Sequence, residues 1–334
     1  MKKVFCFGEL LMRLSPSPKG KWIHDASMPV YIGGAELNVA NALAKWNIPV
    51  KYFTALPDNF LSREIVEDLT NKNIDCSAIH YSGNRIGTYY LTQGADLKNA
   101  ALVYDRAGSS FADLKPGMIN WDSILDDCQW FHFSAISPAL NDNIAALCKE
   151  ALEVASAKRL TISVDLNYRS KLWQYGKRPV EIMPALVKHA HLIMGNIWSA
   201  ESLLGIESPL KGSDGATRFA LINTAEQSMV ALQQQFPQAK TSALTFRMDS
   251  SYWAIMQHEQ AQYISKEFAL AGVIEKAGSG DCFMAGLIYG MLYDNEPAQT
   301  INFAAAAAAG KLYEKGDATH QSIQDVANRV QETA

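Results

Sequence analysis

The sequence lacks most of the marks of a nucleic-acid, membrane or secreted protein. No run of lysine and arginine occurs in its 334 residues, and 30 basic against 34 acidic side chains leave a net charge of −4. Such a chain has no stripe to track a phosphate backbone or an anionic lipid surface, so neither nucleic acid nor membrane is expected as a partner. No apolar stretch approaches the roughly 20 residues of a membrane span. Glu9 interrupts the apolar run behind Lys2-Lys3 too early for a secretory leader. Cysteine is scarce: Cys6, Cys76, Cys128, Cys148 and Cys282 are scattered, odd in number and never two residues apart in a Cys-x-x-Cys pair. That pattern fits reduced buried thiols better than a disulfide framework or a zinc cage, and it predicts a reducing, cytoplasmic location. Histidine offers no metal site either, since His258-Glu259 has no histidine three residues on and His189 and His191 lie only two apart near a helix end. There is no internal repeat and no linker long enough to separate two units, so residues 1–334 are expected to form one domain.

What is present is an ordinary globular composition, 48% hydrophobic and 19% charged, in a chain long enough to bury about three quarters of its unfolded surface. Short β-type runs alternate with helical patterns. Val4 to Phe7, Tyr52 to Ala55, Gln129 to Ser134, Leu160 to Asp165, Leu192 to Met194 and Ser242 to Thr245 read as strands. Between and after them, Glu36 to Trp46, Ser62 to Asn71, Asn143 to Ala157, Val180 to His189, Ala225 to Gln235, Asp281 to Leu292 and Thr300 to Glu314 read as helices. This alternation predicts an α/β fold with a mainly parallel sheet covered on both faces by helices. The run Ala304 to Ala309 reads as a helix packed close to its neighbours. Two stretches break the alternation and look antiparallel: Leu11 to Leu14 with Val30 to Ile32, and Gly87 to Thr92 with Ala101 to Tyr104. Segments of about 11–32 and 86–108 are therefore expected to form a small β-sheet lid over the carboxyl ends of the main strands, where parallel sheets bind ligands. Its free edges make a homodimer through the lid an expected assembly.

The segment Gly272 to Gly286 carries the chemistry. Gly278, Ser279 and Gly280 leave an unobstructed backbone just before a helix with apolar positions Phe283, Leu287 and Ile288. Amides converging there, with Ala277 completing the turn, and the positive end of the helix dipole make an anion hole. Asp281, expected at the helix cap, aims a carboxylate at the same point. A carboxylate beside an anion hole suits phosphoryl transfer, taking a proton from an attacking hydroxyl; an N-cap on a tight turn is the competing reading. The phosphate chemistry is not of the P-loop type, because no Gly-x4-Gly-Lys-Ser/Thr exists and Gly-Ser-Gly-Asp lacks the third glycine of a dinucleotide fingerprint. Near the other end, Gly33 and Gly34 precede a helix carrying Asn38, whose amide both donates to and accepts from a polyol.

The pair Gly33-Gly34-Ala35-x-x-Asn38-x-Ala40 and Gly278-x-Gly280-Asp281-x-Phe283-x-x-Gly286 resembles the two signatures of the ribokinase family of ATP-dependent sugar kinases. Phe7-Gly8-Glu9, Leu56-Pro57-Asp58-Asn59 and Asp165-x-Asn167-x-Arg169 with Leu172-Trp173 fall in the family's order, so the likeness spans essentially the whole chain. Within the family, Gly87-Thr-Tyr89, Val103-Tyr104-Asp-Arg106 and Phe133-Ser-Ala-Ile136 are most similar to 2-dehydro-3-deoxygluconokinases. The resemblance implies a ribokinase-like fold with a β-lid, ATP with mainly nucleotide-bound Mg2+, and a sugar-acid or sugar substrate. It also implies Asp281 as catalytic base, an anion hole at Ala277, Gly278, Ser279 and Gly280, and sugar contacts at Gly34, Asn38, Tyr89, Tyr104, Arg106, Ile136, Arg169 and Asp317. Nucleotide contacts would come from Asn196, Thr245, Arg247, Gly278 and Gly280. Arg106 and Arg169 suit a carboxylate, and the amide and phenol groups suit hydroxyls.

Three departures accompany the resemblance. Glu275-Lys276-Ala277 stands where the family usually has Asp-Thr-Thr, with Glu275 expected to keep a carboxylate on the phosphate side. Ser199 stands where Asn-x-x-Glu would have its glutamate, and Glu201 lies about 200° round the helix from it. Thr245 is followed by Arg247 and Ser250 rather than by two glycines. Three readings follow: a kinase of 2-dehydro-3-deoxy-D-gluconate acting on the primary hydroxyl, a fructokinase or other sugar kinase on the same fold, and a non-catalytic sugar-acid binding protein.

Overall fold

The computed structural model describes residues 1–16, 27–92, 102–212 and 215–332. Its main sheet runs parallel through Ile74–Asp75, Val50–Phe53, Lys3–Phe7, Cys128–Ser134, Thr161–Asp165, Leu192–Gly195 and Thr241–Arg247, in that spatial order. Lys3–Phe7 shows why a central strand reads as a continuous apolar run. Val4 and Cys6 point into one core and Phe5 and Phe7 into the other, so both faces are buried.

The first core is closed by Ala35–Lys45, Ser279–Leu292 and Pro297–Lys311. The alanine run does pack closely. A Cβ on Gly286 would lie 2.6 Å from the Cα of Ala304, and one on Gly290 would lie 2.5 Å from the hydroxyl of Thr300. The second core lies under Asp142–Ala157 and Pro179–Val187 and contains a cluster of Phe5, Phe7, Phe53, Phe131 and Trp121 rings.

Beyond Thr241–Arg247 the sheet continues antiparallel with Ser251–His258, on which Ala261–Ile264 and Phe268–Ala269 pair. The sequence reading ends the sheet at the last parallel strand and misses these three. Tyr252 to Met256 is buried on both sides, so this strand lacks the apolar–polar alternation that signals a half-exposed one.

The expected lid exists as a separate four-stranded sheet. Leu11–Leu14 and Gly87–Tyr90 lie side by side and parallel, Val30–Gly33 flanks the first antiparallel, and Val103–Asp105 flanks the second. Ala101, the expected start of the last strand, lies outside the described residues. The register sets Arg13 opposite Tyr89, and both side chains are buried beneath the lid. No helix among the described residues is long and apolar enough to cross a membrane, and the five cysteines are free thiols.

Candidate active site

The chain leaves the central strand Lys3–Phe7 to one side and returns on the other at Cys128–Ser134, which creates a switch point where a crevice opens beyond the carboxyl ends. One cleft lies there. The eight expected sugar contacts, the expected nucleotide contacts and the turn from Ala277 to Asp281 line it, whereas Gly33, Ser199 and Glu275 do not.

The floor is the turn before helix Ser279–Leu292. Gly278 is the N-cap at φ 80°, and a Cβ there would sit 1.9 Å from the Asp317 carbonyl oxygen, so only glycine fits both the conformation and the space. The first amides of that helix lack intrahelical partners, and the residues that carry them, Ser279 to Asp281, line the cleft. Asp281 is not the cap expected from sequence. It stands in the first turn, three residues past Gly278, and its Oδ2 accepts from Asn38 Nδ2 at 2.7 Å. Burial pushes its carboxyl up to about 7, while the Asn38 amide and the Arg169 charge pull the other way.

Asp165, at the end of its strand, also lines the cleft. Burial, reinforced by the charge of Asp281, holds its carboxyl well above the usual range. Arg169 acts on both carboxyls in the opposite sense, and Glu36 raises both, so the cleft holds two buried acids whose protons are held more tightly than in water.

At the sugar end, Arg106 is not an open cation. Its Nε and Nη2 both reach Glu9 Oε2 at 2.6 Å, its guanidinium lies 5.9 Å from the Tyr104 ring centre, and Ser109 donates to the other Glu9 oxygen. Asp317 is equally occupied: Oδ1 accepts from Arg13 Nη1 at 3.0 Å and Oδ2 from the Tyr89 hydroxyl at 3.2 Å. Gly34, at φ 142°, lets the backbone close on the Glu9 carbonyl, which a Cβ would meet at 2.4 Å. Asn38 Oδ1 and the Ile136 side chain complete the wall, the former buried without a partner.

At the nucleotide end, Asn196 caps helix Ile197–Leu204 through Trp198 and Ser199 amides, and Ser199 answers with its hydroxyl to the Asn196 amide at 2.9 Å. The serine in the glutamate's place is thus half of a capping box. Glu201 points elsewhere, to Lys211. Thr245 donates to the Gly195 carbonyl at 3.3 Å, and Arg247 to the Lys276 carbonyl at 3.5 Å. Glue of a different kind holds Glu275, which corrects the expectation of a phosphate-side carboxylate. It is buried away from the cleft, with Oε2 accepting from Arg13 Nη2 at 2.9 Å.

Sequence reasoning missed Asp165, Glu9 and Glu36 as cleft residues, and Arg13 altogether. A carboxylate at the end of a parallel strand was the available signal for Asp165. Arg13 carries none, because its partners are 262 and 304 residues away in sequence.

A parallel α/β sheet with a β-lid over a carboxylate and anion-hole cleft defines a phosphoryl-transferring carbohydrate enzyme. Residues 1–323 match the pfkB family carbohydrate kinase pattern, and the chain belongs to that family. The solved structure of a 2-dehydro-3-deoxygluconokinase from Thermotoga maritima is 31% identical with a TM-score of 0.88, covering 99% of this chain and 100% of that one. A pfkB family carbohydrate kinase from Listeria grayi is 28% identical, with a TM-score of 0.86 over 99% and 100% of the two chains. Among curated relatives, a 2-dehydro-3-deoxygalactonokinase of Haloferax volcanii is 28% identical over 93% of this chain and 91% of its own.

Proposed function

We propose that this carbohydrate kinase transfers the γ-phosphoryl group of ATP to the primary hydroxyl of 2-dehydro-3-deoxy-D-gluconate, with Asp281 as general base. The observation that carries the reading is the placement of Asp281, buried, bonded to Asn38 and raised to about 7, one turn into the helix that starts at the Gly278 turn. A base of that pKa is half-ionised at neutral pH and accepts a hydroxyl proton without a large mismatch.

In the proposed step the substrate oxygen attacks the γ-phosphorus and its bond to the bridging oxygen of the donor breaks. The hydroxyl proton passes to Asp281, and the Gly278 to Asp281 amides hold the equatorial oxygens. Arg247 and Lys276, with the neutral oxygens of Asn196 and Thr245, line the donor end. These residues fit phosphates rather than a bare metal ion, so magnesium would enter on the nucleotide and neutralise its charge there.

The acid substrate is supported by Arg169, whose charge reaches both cleft aspartates and which takes no part in the lid's ion pairs among the described residues. The names of the Thermotoga and Haloferax relatives support a 2-dehydro-3-deoxy acid of either the gluco or galacto configuration. ATP consumption with both acids and with fructose tests the reading: turnover of fructose at the rate of the acids would overturn the acid preference.

A further inference from the structure

Behind the anion hole lies a buried charge cluster that the proposed reaction does not use. Arg13 is fully buried on the lid strand Leu11–Leu14, and its two terminal nitrogens divide between Asp317 and Glu275. Each acid leads somewhere different. Asp317 also accepts from Tyr89 on the neighbouring lid strand, and its own carbonyl is what fills the space above Gly278. Glu275 stands three residues before Gly278 on the chain that forms the turn. The guanidinium therefore touches the two supports of the anion-hole glycine from within the lid, and it stacks on the Tyr31 ring of a third lid strand at 4.4 Å.

The arrangement is poorly designed as a mere staple. A stabilising buried pair would be a two-bond fork with every polar atom satisfied. Here Arg13 Nε and Glu275 Oε1 are both buried without partners. Replacing all three groups by packed apolar side chains would hold the lid at least as firmly. What the split contact supplies instead is a rigid link between two elements that must be placed together, the lid over the sugar and the amides under the phosphate.

We infer that Arg13 is a positioning residue that carries the placement of the lid to the anion-hole turn through Glu275 and Asp317. The role presupposes the proposed phosphate site at Gly278 to Asp281, and its tests separate the two. Hydrogen exchange needs no substrate. In Glu275→Gln, which keeps the Arg13–Asp317–Tyr89 arm, amides of 277–281 should exchange about tenfold faster, while those of Leu11–Leu14 stay protected. In Arg13→Met the lid strand and the turn should both loosen, and Arg13→Lys, able to reach one acid at a time, should restore only part of the protection.

With a turned-over sugar acid, Glu275→Gln should lower kcat by about ten- to a hundredfold with KM for the sugar within about twofold. A plain structural ion pair would lower the melting temperature and leave kcat of the folded enzyme alone. If folded Glu275→Gln shows unchanged exchange at 277–281, the coupling is refuted, even where Asp281→Asn abolishes turnover. If Arg13→Met does not fold, the Glu275→Gln comparison decides alone.

Discussion

Asn38 and Asp281, 243 residues apart, meet through a 2.7 Å hydrogen bond at the centre of the cleft. The amide donates, which fixes the Asp281 oxygen that accepts it and leaves the other free to take a proton. The bond ties the helix after the first double glycine to the helix after the anion hole, so each signature is incomplete without the other.

Asp281→Asn should keep the fold and nucleotide binding while lowering turnover by about two to four decades, the usual contribution of a positioned base. Steady-state kinetics on the purified variant check this. Near-normal turnover would reduce Asp281 to a structural partner of Asn38.

The same substitution should raise stability, with a definite pH dependence. An unfolded aspartate titrates near ~3.9, whereas Asp281 is raised to about 7 in the fold. The native state thus binds the proton more tightly, and the stability this contributes is fully present below about pH 4 and lost as pH rises through 7. Asn, which carries no charge to bury, should show a melting-temperature advantage that grows between those limits and levels off above them. A constant difference at all pH values would contradict the raised pKa.

Catalysis should follow the opposite sign, because only the ionised carboxyl accepts a proton. The acid limb of kcat/KM should rise through about pH 7, as set by Asp281, which burial and the charge of Glu36 hold up. Glu36→Gln removes one of the charges that raise Asp281, so the limb should move to lower pH. A limb that does not move would separate the two groups.

The arginines should behave differently. Arg169→Ala should raise KM for a sugar acid by about one to two decades and change that for a neutral sugar little, as expected for a lost charge-assisted bond. Arg106→Ala strands the buried Glu9 carboxylate and should cost stability of about 3 kcal/mol as well. Thermal denaturation beside the two KM values distinguishes them.

Much of this was legible in the chain. The parallel strands, the lid and the two glycine signatures follow from local pattern, and the expected base, sugar contacts and nucleotide contacts share one cleft. Roles that depend on distant partners were not. Arg106 and Asp317 line the cleft as expected, but the sequence does not show that Glu9 sits beside the one and that Arg13 and Tyr89 bond the oxygens of the other. Glu275 is the sharpest case: its place in the motif points to phosphate, but the lid supplies a cation and draws it out of the cleft. A signature encodes the backbone turn, whereas the direction of a carboxylate is set by whichever charge folding brings to it.

The most direct measurement is the rate of ADP formation with ATP and 2-dehydro-3-deoxy-D-gluconate, for the unmodified enzyme and for Asp281→Asn at the same pH and magnesium. The account predicts turnover that exceeds that with fructose and that falls by at least about a hundredfold in the variant. Turnover of the acid that survives Asp281→Asn, or fructose as the better substrate, would contradict it.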